Sequence, residues 1–297
     1  MKKTAQFQTF TLTLLALIAF AANSVLCRMA LGQQQVDASS FALLRLVSGA
    51  ITMIVILQLL RPYQASSDDR LTDLTTLKTW LAPFMLFGYA WCFSFAYIAL
   101  NTATGALILF ATVQFTMLGY GLYKGSKQTL WQWFGIILAV AGFVYLMLPN
   151  ATRPELTGFT WMFLAGLCWA VYSLAGKTSK NAITATGHNF ILSVPMVIVA
   201  SLLSLVFIEF DWQAVTTQGV VLACLSGSLA SACGYTLWYL ALKNISITLA
   251  AICQLSVPVI AAVGGIAFMN ESMTDSFMLA AAMILVGITI VTLKNAK

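Results

Sequence analysis

Polar and aromatic side chains that could hold a solute stand inside long apolar runs of this sequence: Asn23, Tyr89, Trp91, Gln114, Trp169, Tyr172, Tyr235, Trp238 and Gln254. An amide presents donors and an acceptor together. Tyr and Trp present a flat apolar body with one polar tip. Set among apolar residues, this mixture is chemistry for binding an amphipathic organic solute. Bond-making chemistry is not expected. No nucleophile–base set or carboxylate pair lies in these runs, and neither H-E-x-x-H nor the phosphate-cradling G-x-x-x-x-G-K-[ST] occurs. The latter absence excludes ATP-driven transport by this chain alone. Cys27, Cys92, Cys168, Cys224, Cys233 and Cys253 all lie in apolar runs, and none stands at metal-ligand spacing. They read as small buried hydrophobes, so neither cofactor nor metal is expected.

Arg45 is the only ionisable side chain well inside an apolar run, and it is expected to serve gating or structure, with anion binding the competing role. Pro258 removes a backbone donor and frees the carbonyl four residues earlier, that of Gln254, which makes a hinge or a contact point. Pro195 does the same for Ile191. His188 is expected at a helix end. No Asp or Glu lies at mid-run, so a buried carboxylate proton relay is not expected.

The elements that must position these groups follow from composition. Of 297 residues, 60% are hydrophobic and only 8% charged, with a mean hydropathy of +0.90. Too few charges exist to cover a soluble globule, and disorder needs the opposite balance. The net charge of +6 does not point to nucleic acid, because the basic residues fall singly or in pairs between apolar runs. A hydrocarbon core of about 30 Å needs about 20 helical residues. Ten such stretches are read: 8–31, 40–60, 79–100, 103–123, 130–148, 157–176, 187–208, 214–241, 246–268 and 275–293. The longest connection runs from Arg61 to Lys78. Trp80, Trp131, Trp133 and Trp212 fall at span ends and are expected in the interfacial belt.

Basic residues set the orientation. Lys2, Lys3, Arg61, Arg70, Lys78, Lys124, Lys127, Lys177, Lys180, Lys243, Lys294 and Lys297 fall on the N-terminal side, whereas only Arg28 and Arg153 fall opposite, with Asp37, Glu155, Glu209, Asp211, Glu271 and Asp275. Both termini are expected in the cytoplasm. Lys2, Lys3 and Ala19-Phe20-Ala21 also resemble a cleaved signal peptide. The apolar run continues through Met29-Ala30-Leu31, so retention as the first span is expected.

The second half repeats the first. Phe20 to Arg28 lies over Trp169 to Lys177, Ala96 to Asn101 over Trp238 to Lys243, and Gly135 to Gly142 over Ala280 to Gly287. Five spans per half invert the second half, the arrangement common in secondary transporters. The expected fold is therefore an all-α polytopic membrane protein of ten transmembrane helices in two inverted five-helix repeats, residues 1–150 and 151–297.

These features resemble the EamA branch of the drug/metabolite transporter superfamily. The residues that carry the resemblance are Phe20-x-x-Asn23-Ser24, Trp169-Ala170-x-Tyr172, Arg45, Pro258 and Asn270-Glu271-Ser272. The first half departs from the pattern, with Thr116 where Pro is frequent and Gly125-Ser126 where Gly-Glu is frequent. The resemblance implies an inner- or plasma-membrane carrier of small metabolites, often an exporter. The expected function is alternating-access transport of a small organic metabolite, with the substrate at the repeat interface. The competing reading is a passive channel. The partners expected are the substrate and the bilayer, not nucleic acid, and the chain is expected as a monomer or homodimer.

Overall fold

The computed structural model describes residues 2–60, 77–100, 102–125, 128–147, 156–207, 215–269 and 275–295. Of the residues singled out above, Arg61, Arg70, Asn101, Ser126, Lys127, Arg153, Glu155, Glu209, Asp211, Trp212, Asn270, Glu271, Ser272 and Lys297 lie outside the described residues.

The described residues form helices joined by short connections. They are α1 (Lys2–Gly32), α2 (Ala38–Leu60), α3 (Leu77–Ala99), α4 (Thr102–Tyr123), α5 (Leu130–Met147), α6 (Leu156–Thr178) and α7 (Ala182–Phe207). Then come α8 (Thr217–Leu225), a π-helical segment (Ser226–Cys233), α9 (Gly234–Leu242), α10 (Ile247–Gln254), α11 (Val257–Met269) and α12 (Asp275–Asn295). Among the described residues seven segments are long and apolar enough to cross a membrane: Gln6–Gly32, Ala38–Leu60, Lys78–Ala99, Leu156–Thr178, Ala182–Leu205, Thr217–Leu242 and Ile247–Phe268. Ile108–Tyr123, Leu130–Gly142 and Met278–Gly287 are shorter apolar helices.

Helix starts are set by short polar caps. Asp37 Oδ1 accepts from the amides of Ser39 and Ser40, both at 2.9 Å, and starts α2. Thr129 and Gln132 form a reciprocal capping box at α5. Asn181 accepts from Ile183 and Thr184, which carries α7 five residues further back than the expected start at 187. Thr216 and Ser246 cap α8 and α10. At the other end, Lys177 donates to the carbonyls of Leu242 and Ile245, where α9 finishes, and Lys243 donates to Lys180 O. Cations there meet the negative end of the helix dipole.

Large apolar side chains cover the outside, among them Ile51, Val55 and Leu59 on α2 and Val199, Leu202 and Leu203 on α7. In water such faces would aggregate; against lipid they are the expected exterior. The main packings are α5 with α12, α3 with α6, α2 with α7 and the π segment, α4 with α6, and α1 with α9 and α11.

Lipid supplies no hydrophobic drive between helices, so close approach through small residues must hold them. A Cβ on Gly142 would lie 2.6 Å from Met283 Cβ and 3.0 Å from Ala280 O; one on Gly287 would lie 2.6 Å from Gly135 O. The α5–α12 seam is therefore reciprocal. The tightest approach joins α2 to the π segment, where a Cβ on Gly227 would overlap Arg45 O and Ser48 Oγ. Gly227→Leu is expected to lower the thermal midpoint in detergent by several degrees, because overpacking costs about 1–3 kcal/mol. Gly119→Ala, which meets nothing within 4 Å, is the control and should leave it unchanged or raise it.

Candidate functional site

The centre of the helix packing is built around Arg45, which is 1% exposed. Its Nε donates to Ser231 Oγ at 3.0 Å, and Nη2 donates to Tyr235 OH. Its Cζ lies 5.1 Å from the centre of the Tyr89 ring and 5.3 Å from that of Phe93. Nη1 is buried without a hydrogen-bond partner. Among the described residues only Asp37 and Asp275 carry carboxylates, and neither bonds to Arg45. Asp37 stands eight residues back along α2, about 12 Å by helical rise.

An arginine does not lose its proton at any accessible pH, so this is a fixed charge among neutral groups. Two features bring its partners to it. Gly227 lets α2 and the π segment approach backbone to backbone. The π winding then sets Ser226 toward α1 and Ser231 toward α2, an arrangement frequent at functional sites.

Aromatic rings extend the centre from Arg45. Tyr235 lies 4.8 Å from Trp169 by ring centres, Tyr89 lies 4.9 Å from Trp169, and Phe20 packs edge-on against both Trp169 and Trp238. Tyr172 stacks obliquely on Tyr239 at 4.9 Å. Polar tips are bonded across helices. Ser226 donates to Asn23 Oδ1, and Asn23 Nδ2 donates to Tyr89 OH at 3.4 Å. Trp169 Nε1 donates to Gln254 Oε1 at 2.6 Å, and Gln254 Nε2 points to Met117 Sδ and Ala250 O. Trp238 Nε1 donates to Ser173 Oγ at 3.1 Å.

Residues 156–293 match the EamA-like transporter family. An uncharacterized protein of Pseudomonas aeruginosa is 38% identical over 284 residues, 96% of this chain and 94% of that one. The chain belongs to the EamA-like transporter family. The threonine/homoserine exporter RhtA of Escherichia coli is 27% identical over 209 residues, 67% of this chain and 68% of the exporter. An uncharacterized transporter of Archaeoglobus fulgidus is 27% identical over 200 residues, 64% of this chain and 68% of that one. A solved crystal structure has the same fold, with a TM-score of 0.77 over 99% of both chains at 17% identity. The protein is thus a multi-pass membrane transporter of the drug/metabolite type.

Within this EamA-type chain, Asn23, Arg45, Tyr89, Trp169, Tyr172, Tyr235, Trp238 and Gln254 meet in one contiguous network. Gln114 is buried on α4, and neither its Nε2 nor its Oε1 has a partner. It stands one turn before Met117, so both residues share a face of α4. Trp91 lies apart. It packs between Phe87 and Phe95 at the α3–α6 seam, because two residues along a helix turn it about 200° away from Tyr89. Pro258 is buried in the first turn of α11, not inside a continuous helix. The apolar run breaks at Leu255-Ser256, whose amides turn back to Ile252 O and Cys253 O. Ser226, Ser231, Phe20, Phe93 and Tyr239 also belong to the centre. The spacing of small residues in Ser226–Cys233 is the signal in the sequence that could have found Ser226; Ser231 stands out in the sequence as a polar residue within an apolar run.

The Trp169–Gln254 bond predicts a measurable coupling. Trp169→Phe leaves Gln254 Oε1 without its donor and should cost about 1–3 kcal/mol; Gln254→Met in the same chain should restore part of it. Thermal unfolding of the two single variants and the double reads the coupling, and strict additivity would show that the bond contributes nothing.

Proposed function

We propose that the protein is a secondary carrier that moves a small organic metabolite by alternating access, with the substrate held at the buried centre between residues 1–150 and 151–297. One observation carries this reading. The segments Gly135 to Gly142 and Ala280 to Gly287, equivalent in the repeat, pack on one another so that Gly142 meets Ala280 and Gly287 meets Gly135. Reciprocal contact between equivalent positions is the mark of a two-fold axis. The pairing of α3 with α6 and of α1 with α9 repeats the same exchange between halves.

A two-fold in the membrane plane would relate ten spans as two inverted sets of five, and exchange of conformations between halves would open the centre first to one side and then to the other. The basic-residue asymmetry supports cytoplasmic termini. Polar groups concentrated at one depth favour a carrier over a passive pore, which needs a polar stripe along its length. The exporter relative supports a metabolite-sized substrate and outward net flux.

The test is counterflow in proteoliposomes. A solute found by thermal stabilisation of the purified protein should enter at a rate that saturates, and unlabelled solute preloaded inside should accelerate it. Flux that stays linear in concentration and ignores the trans side would establish a pore instead. Trp169→Ala should lower counterflow at least about tenfold at unchanged membrane abundance, because it opens the aromatic wall and unpairs Gln254.

A further inference from the structure

Gln114, Tyr172 and Arg45 each leave a buried polar atom unpartnered at the centre, and of the three only Arg45 carries a charge. A guanidinium has five N–H donors. Those on Nε and Nη2 reach Ser231 and Tyr235, and Nη1 has no partner although the side chain is 1% exposed. Burial of a charge without a counter-charge is among the costliest arrangements in a protein, and more so in a bilayer. Hydroxyl dipoles and the Tyr89 and Phe93 faces offset part of that cost, but neither supplies a negative charge.

We propose that Arg45 receives the carboxylate of the transported solute, an organic monocarboxylate with an apolar or aromatic body. The proposal rests on the carrier reading above and names its substrate class. Nη1 supplies the free donors, and a planar guanidinium matches a carboxylate in shape. A single cation suits a monoanion; a phosphate dianion would call for further basic groups, and Arg28, Lys78, Lys124, Lys177, Lys180 and Lys243 are all at least partly exposed. Phe20, Tyr89, Phe93 and Trp169 line the same centre and fit a hydrocarbon body better than an inorganic ion. Gln114, with donors and acceptor both free, adds a second open polar position on α4.

The experiment uses the full-length protein in detergent and compares thermal shifts for matched pairs: benzoate and benzamide, phenylacetate and phenylacetamide, L-leucine and L-leucinamide. Chloride, inorganic phosphate and decanoate are separate arms. At least one small carboxylate is expected to raise the midpoint while its amide does not. Arg45→Met should fold, because it removes a buried charge and leaves Ser231 and Tyr235 bonded to each other at 3.2 Å. It should bind that carboxylate roughly 10- to 100-fold more weakly, the range for losing a charged hydrogen bond. Arg45→Lys, which keeps the charge without the planar fork, should fall between.

Equal shifts by acid and amide, no shift by any small carboxylate, or stabilisation by chloride, phosphate or decanoate alone would overturn the proposal. The wild-type comparison decides this even where Arg45→Met does not accumulate. If an amide both stabilises the protein and undergoes saturable counterflow, the carrier reading stands and the carboxylate assignment falls.

Discussion

A permanent positive charge buried among neutral groups is the constraint on which the centre of this protein depends. Arg45 cannot neutralise itself, and the bilayer offers it no water. Each nearby feature lowers the cost of keeping it there. Gly227 removes the side chain that would hold α2 and the π segment apart, and Ser231 and Tyr235 turn hydroxyl oxygens toward the guanidinium. Tyr89 and Phe93 give it ring faces. None of these cancels a unit charge. A site left electrostatically incomplete in this way would suit the proposed carboxylate, whose negative charge the protein itself does not supply there.

The second constraint is mechanical. Helices in lipid associate through close packing and interhelical hydrogen bonds. Glycine contacts make the α5–α12 seam, whereas at the centre the Gly227 contact with α2 acts together with cross-helix hydrogen bonds that tie α1, α2, α3, α6, α9 and α10. The interruptions also fall at the centre. The π segment carries Ser226 and Ser231, and the break after Gln254 ends α10 at the residue that accepts from Trp169. Irregular backbone inside a membrane is tolerated where neighbouring protein re-satisfies its groups. It is also where helices bend most easily, so the proposed carrier would flex where it binds.

Much of this was legible in the sequence because lipid imposes simple demands. Length and apolarity gave seven of the ten spans that were read, and the caps at Asp37, Thr129, Thr216 and Ser246 are polar residues placed just before apolar runs, whereas Asn181 starts α7 five residues earlier than apolarity alone indicated. The mid-span polar residues were found one by one because each is costly in lipid. What stayed hidden is which way a residue faces. These helices are apolar on both sides, so the sequence carries little periodicity to separate an inward Tyr89 from a seam residue such as Trp91. The π winding was equally invisible, since it answers to the close crossing of Gly227 with α2, a contact between residues far apart in the chain. The break after Gln254 was marked by Pro258, but a proline alone does not distinguish a bend from a new helix start.

The most direct measurement is the anomalous scattering of bromine from crystals grown with 4-bromophenylacetate. A carboxylate on Nη1 of Arg45 would place the bromine among the rings of Phe20, Tyr89, Phe93 and Trp169. Arg45→Met crystals grown the same way would lose that peak. A bromine peak confined to the apolar groove lined by Phe115, Leu118, Trp133 and Ile136 on the α4–α5 surface, with none in the centre, would contradict an Arg45-centred site.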